Sequence, residues 1–79
     1  QTYLRTVKNL AATLCERGGR EDLEETLDIC NRAALLEPLH EELYRYIFNT
    51  MRRLDMKQAV LSYYPVISNL FYDELGERL

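Results

Sequence analysis

Glu37-Pro38-Leu39-His40-Glu41-Glu42-Leu43-Tyr44-Arg45-Tyr46-Ile47-Phe48-Asn49-Thr50-Met51-Arg52-Arg53-Leu54 is the stretch whose reading decides this fold. Leu39, Leu43, Tyr46, Ile47, Thr50, Met51 and Leu54 recur at helical intervals and predict one continuous apolar stripe. Proline fits the first turn of a helix, because it has no N–H to lose and its φ is already helical. Glu41 and Glu42 suit the positive end of the helix dipole, and Arg52 and Arg53 suit the negative end. The spacing therefore predicts a helix that opens after Glu37-Pro38 and closes near Asp55.

Three further segments carry the same period. Tyr3, Val7, Leu10, Ala11 and Leu14 predict a first helix stopped by Gly18-Gly19. Leu23, Thr26, Leu27, Cys30, Ala33 and Ala34 predict a second, with Glu21, Asp22, Glu24 and Glu25 crowding its first turn. Met56, Ala59, Val60, Tyr63, Val66, Ile67 and Leu70 predict a fourth, interrupted at Pro65, where the lost bond to the Leu61 carbonyl should kink it. No segment alternates with period two, so the expected class is all-α.

Shifting the chain by 33 residues lays the second helix on the fourth: Leu23 on Met56, Thr26 on Ala59, Leu27 on Val60, Cys30 on Tyr63, Ala33 on Val66. A helix–turn–helix unit of about 33–34 residues is the spacing of tetratricopeptide-type repeats. Ala33 and Pro38 resemble the Ala and Pro that close such a unit, although neither first helix carries the Trp-Leu-Gly-Tyr set. The reading is one helical domain over 1–79, made of two tandem antiparallel hairpins, about 1–36 and 38–75, in a tetratricopeptide-like right-handed stack. Two such units are fewer than the three or so that usually stand alone, which favours packing against further helices or a second copy.

Bulk composition narrows the function. Seventy-nine residues at 47% hydrophobic, with three Gly and two Pro, hold one modest core. A net charge of -3 argues against a domain that wraps nucleic acid unaided. Cys15 and Cys30 make no disulfide framework or metal set. On adjacent antiparallel helices they would sit about two turns apart, roughly 9–10 Å, too far for a bridge. Free thiols suit a reducing cytoplasm, and neither a signal peptide nor an apolar run long enough for a membrane is present. Because Gln1 is not Met, the chain reads as a piece of a longer one.

Past the third helix, Met51-Arg52-Arg53-Leu54-Asp55 and Lys57-Gln58-Ala59 lead to Tyr63, Val66 and Leu70 and then to Tyr72-Asp73-Glu74-Leu75-Gly76. With Glu37-Pro38-Leu39-His40-Glu41-Glu42-Leu43 before them, these landmarks over residues 20–76 resemble the bacterial transcriptional activator domain. That helical module follows a winged-helix DNA-binding domain in regulators of the antibiotic-regulatory-protein class. The sequence departs from the family at Pro65, where a helix former is usual, and in lacking its further helices. The resemblance implies a gene-regulatory role exercised through protein contacts. The implied partners are RNA polymerase, an adjacent winged-helix or sensor domain of the same protein, or a second copy. DNA would be reached only through an upstream domain.

Candidate functional residues fall into four groups. Of the acidic cluster Glu21, Asp22, Glu24, Glu25 and Asp28, the side chains at 21, 24, 25 and 28 lie on one helix face, but a solvated surface explains them without a metal or an acid–base pair. His40 has no nucleophile beside it. Arg45, Asn49, Arg52, Arg53 and Lys57 form a polar, largely basic stripe that reads either as a contact for phosphates or an acidic partner or as an exposed face. Tyr44, Phe48 and Met51, with Leu61, Tyr64, Phe71, Tyr72 and Leu75, lie off the main core faces and are expected to dock a partner; otherwise a kinked fourth helix buries them itself. No enzyme, cofactor or metal is expected, and the competing function is a tetratricopeptide-like adaptor for a peptide or protein without a transcriptional role.

Overall fold

The computed structural model describes residues 2–79, and among them the chain is all-α: α1 (Thr2–Arg17), α2 (Arg20–Leu36), α3 (Glu41–Arg53) and α4 (Lys57–Leu75), with no strand. No helix among these residues is long and apolar enough to cross a membrane.

Local chemistry sets each boundary. Gly18 turns the chain into the left-handed region (φ 72°), and its N–H donates to the Leu14 carbonyl at 3.0 Å, ending α1. Gly19 then starts α2 without a side-chain cap, while Glu21 and Asp22 place carboxylates in the first turn. Glu37 N–H closes α2 on the Ala33 carbonyl at 2.9 Å. The chain needs a turn before it can be helical again, so α3 begins at Glu41. Pro38 belongs to that turn rather than to the first helical turn, and His40 is the residue preceding the helix.

At the far end of α3, Asp55 occupies the left-handed position (φ 59°) that a glycine more often fills. Its N–H donates to the Arg52 carbonyl at 3.0 Å and the Met56 N–H to the Met51 carbonyl at 2.8 Å, the paired bonds of a Schellman ending. In α4, Pro65 sits on the exposed side of a helix that continues through it to Leu75. Gly76 (φ 76°) ends that helix with a bond from its N–H to the Tyr72 carbonyl.

Helices α2 and α3 form the centre, α1 covers α2 and touches α3, and α4 covers the other side of α3. The molecule is a slab of 36 × 32 × 15 Å. Its thinnest dimension corresponds to about two helix layers at 8–10 Å between axes. The small residues Cys30, Ala33 and Ala34 of α2 are buried with Leu43 and Ile47 of α3, and both of those aliphatic side chains are fully enclosed. Thr26 is buried without penalty, since its hydroxyl donates to the Asp22 carbonyl at 2.9 Å.

The helices of the second hairpin follow those of the first by more than 33 residues: α1 and α3 begin at Thr2 and Glu41, 39 positions apart. The first residues of α2 and α4, Arg20 and Lys57, stand 37 positions apart. In that register Leu23 falls on Val60, Thr26 on Tyr63, Cys30 on Ile67 and Ala34 on Phe71, so buried positions meet buried or half-buried ones. The shorter register laid Leu23 on Met56 and Ala33 on Val66, both exposed, and Met56 precedes α4. Side-chain similarity matched the wrong turns because the four-residue connection at 37–40 lengthens the unit.

Candidate docking surface

Helix α3 is buried on two sides. Leu43, Ile47 and Thr50 are fully enclosed, but Tyr44 (2% exposed), Phe48 (4%) and Met51 (8%) are buried too. Tyr44 and Phe48 meet the rings of α4: Tyr44 lies edge to face 5.7 Å from Phe71 between ring centroids, and Phe48 lies edge to face 5.3 Å from Tyr64 and tilted 5.6 Å from Tyr63. The Tyr44 hydroxyl donates to the Pro38 carbonyl at 2.8 Å, which ties α3 to the turn before it. Burial pushes the phenols of Tyr44 and Tyr63 above the ordinary tyrosine range, and their proximity raises Tyr44 further.

This corrects the docking set. Tyr44, Phe48, Met51 and Phe71 are core residues, since the stripe offset from the main face of α3 is where α4 packs. The inward face of α4 is likewise rotated from the expected one. Ile67, Ser68 and Phe71 are buried, Val60, Tyr63 and Leu70 are half-buried, and Val66 is 60% exposed. In α1 the same kind of rotation buries Leu4 and leaves Tyr3 and Leu10 exposed.

What remains outward is a strip along α4. Leu61 is 68% exposed, Tyr72 51%, Leu75 55% and Tyr64 38%, and Pro65 is exposed among them. Leu61, Pro65, Tyr72 and Leu75 share one side of the helix, but Ser68 between them is buried, so the strip is exposed at its two ends, Leu61 with Pro65 and Tyr72 with Leu75. Beside the strip's first turns, Arg52, Lys57, Val60 and Leu61 line an open groove of roughly 410 Å³. Tyr64 and Pro65 extend its apolar floor.

The basic stripe is divided by its contacts. Arg45 is engaged within its own helix by Glu41 at 2.8 Å. Arg53, still exposed, donates to the Cys15 carbonyl at 3.1 Å. Arg52 reaches only the amide oxygen of Asn49, at 3.3 Å, and among the described residues neither Arg52 nor Lys57 has a carboxylate partner. These two cations rim the groove.

The acidic cluster and His40 have neighbours of opposite or complementary character. Asp22, Glu24 and Asp28 pair with Arg17, Arg20 and Arg32 at 3.6, 3.4 and 3.2 Å. No group of three His, Cys, Asp or Glu among the described residues is arranged to hold a metal. His40 lies 3.4 Å from the Lys8 ammonium, which also pairs with Glu42 at 3.1 Å. Both cysteines are free, and burial, followed by the nearby Cys15, pushes the Cys30 thiol up to about 12.

A tail contact was not foreseen from the sequence. After Gly76 the chain folds back, so that the Tyr64 hydroxyl donates to a Leu79 oxygen at 2.7 Å. Arg78 bonds Asn69 at 3.0 Å and lies 4.8 Å over the Tyr72 ring. Gly76 is the local signal for that reversal. Compared with known protein families, with curated proteins and with solved structures, the chain matches none.

Proposed function

We propose that this chain is a protein-interaction domain of a bacterial transcription regulator, acting in the cytoplasm by holding other proteins rather than by catalysis. Its contacts would be with RNA polymerase or with neighbouring winged-helix or sensor domains, and DNA would be reached through those neighbours. The observation that carries the interaction role is the outward strip on α4. Leucine and tyrosine side chains stand exposed there beside two cations, Arg52 and Lys57, that have no carboxylate partner among the described residues. The transcriptional part rests on the ordered landmarks from Glu37-Pro38-Leu39 to Glu74-Leu75-Gly76.

Tethering the chain to a sequence-specific DNA-binding domain upstream of a bacterial reporter tests this reading. Raised expression is expected, and expression no higher than with the DNA-binding domain alone would overturn it. A second reading, a tetratricopeptide-like adaptor without a transcriptional role, draws on the succession of two helical hairpins. It predicts partner capture with a silent reporter.

A further inference from the structure

At the beginning of the α4 strip the only acidic side chain lining the neighbouring groove, Glu41, is paired with Arg45, which leaves Arg52 and Lys57 without a carboxylate among the described residues. Arg52 and Lys57 rim the beginning of the strip, and Arg78, held by Asn69 and stacked over Tyr72, rims its end. Asp73 and Glu74 belong to the same helix but, at 3.6 residues per turn, fall on its other sides. This local excess stands out in a chain of net charge -3.

Two occupants fit poorly. A phosphate backbone would satisfy the cations but leave Leu61, Pro65 and Leu75 with no apolar counterpart. A second copy laid antiparallel along the same strip would bring Lys57 of one copy toward Arg78 of the other, cation against cation. The rival groove between α2 and α4, lined by Asp28, Arg32, Leu35 and Tyr63, has no free charge to offer, because its Asp28 and Arg32 pair with each other at 3.2 Å.

We propose that the α4 strip docks an acidic amphipathic helix of a partner protein. Its apolar side chains would lie on Leu61, Tyr64 and Pro65, and its carboxylates would face Arg52 and Lys57. An amphipathic helix laid on an apolar groove presents anchors at i, i+3, i+4 and i+7, and Val60, Leu61, Tyr64 and Pro65 give them an apolar floor beside Arg52 and Lys57. The cations give orientation and speed of encounter, and the apolar floor gives residence. This deepens the interaction role proposed above and rests on it.

The test uses an 18-residue helical peptide with leucines at i, i+3, i+4 and i+7 flanked by glutamates, fluorescently labelled, titrated into the whole chain. A second peptide has every glutamate replaced by lysine, and a third probe is a labelled DNA duplex. The acidic peptide is expected to bind, more weakly as salt rises, and at least tenfold more weakly to the L61E and R52E/K57E variants. Circular dichroism of those variants should match the parent, since all three side chains are exposed.

Equal binding of both peptides, binding of the duplex alone, binding unchanged in the folded variants, or a dimer that L61E dissolves would each overturn the proposal. Failure of the peptide with an active tethered reporter would remove this inference and leave the interaction role standing. A silent reporter with peptide bound would do the reverse for the transcriptional role.

Discussion

The Arg53 guanidinium donates a hydrogen bond to the backbone carbonyl of Cys15, 3.1 Å away and 38 residues earlier in the chain. The last turn of α1 leaves carbonyls without helical partners, and a cation from the last turn of α3 satisfies one of them. The contact fastens the two hairpins at one end. It also explains the tight space at Gly18, where a Cβ would meet the second guanidinium nitrogen at 3.0 Å in addition to needing φ 72°.

Arg53→Met should therefore cost about 1 kcal/mol, the ordinary net value of a solvent-accessible hydrogen bond. Gly18→Ala should cost about 1–2 kcal/mol from backbone strain before the guanidinium is displaced. The two changes should cost less together than the sum of their separate effects, because one of the penalties is shared. Urea unfolding of the four proteins measures this coupling, and strict additivity would show that Arg53 and Gly18 are independent.

Tyr44 joins three parts of the core through Phe71, Phe48 and the Pro38 carbonyl. Tyr44→Phe keeps the ring and removes the bond, for a loss of about 1 kcal/mol. Tyr44→Ala opens the aromatic layer and should cost about 3–5 kcal/mol, comparable with the whole stability of a domain this size. Thermal melts should show a modest shift for the first and a largely unfolded chain for the second.

Alkaline pH should destabilise the fold. Cys30, Tyr44 and Tyr63 all have folded pKa values above their ordinary ones, 9.0 for the thiol and 10.0 for the phenols. A group whose folded pKa is raised contributes stability that is full below the unfolded value and lost as pH rises through the folded one. Melting temperature should thus be flat below pH 9 and fall from there toward pH 12, the thiol acting first. Cys30→Ala should lower the plateau and delay the onset of the fall; an onset unmoved by that change would remove the thiol from the account.

Pro65 forfeits a backbone bond to Leu61 inside α4. Pro65→Ala should stabilise the chain by about 1 kcal/mol or more, a part of the roughly 3 kcal/mol that proline costs in an ideal helix. Amide exchange in α4 should slow around residues 61–69. No change in either would mean that the helix is already relaxed around the ring.

Much of the fold was legible because its signals are local. The carboxylates of Glu41 and Glu42 and the guanidinium groups of Arg52 and Arg53 bracket α3, and Gly18-Gly19 separates α1 from α2. Periodicity, however, identifies one face of a helix, whereas α3 is covered by α2 on one side and α4 on the other. Tyr44 and Phe48 therefore looked spare while being enclosed. Asp55 gave no glycine-like warning of its left-handed turn, and the length of the connection before α3 hid the 37-residue offset. Of the docking candidates, Leu61, Tyr64 and Tyr72 keep exposed surface, and Arg52 and Lys57 alone of the basic stripe are free to receive a partner's charge. Arg53 could not be separated from them in sequence, because its partner lies in another hairpin.

The most direct measurement is reporter output from the tethered chain, compared with that of a Leu61→Glu/Tyr72→Glu variant whose circular dichroism and melting temperature match the parent. Raised expression is expected with the parent chain, and return to background with the variant. Equal activation by both proteins, or none by the parent, would contradict the proposed role.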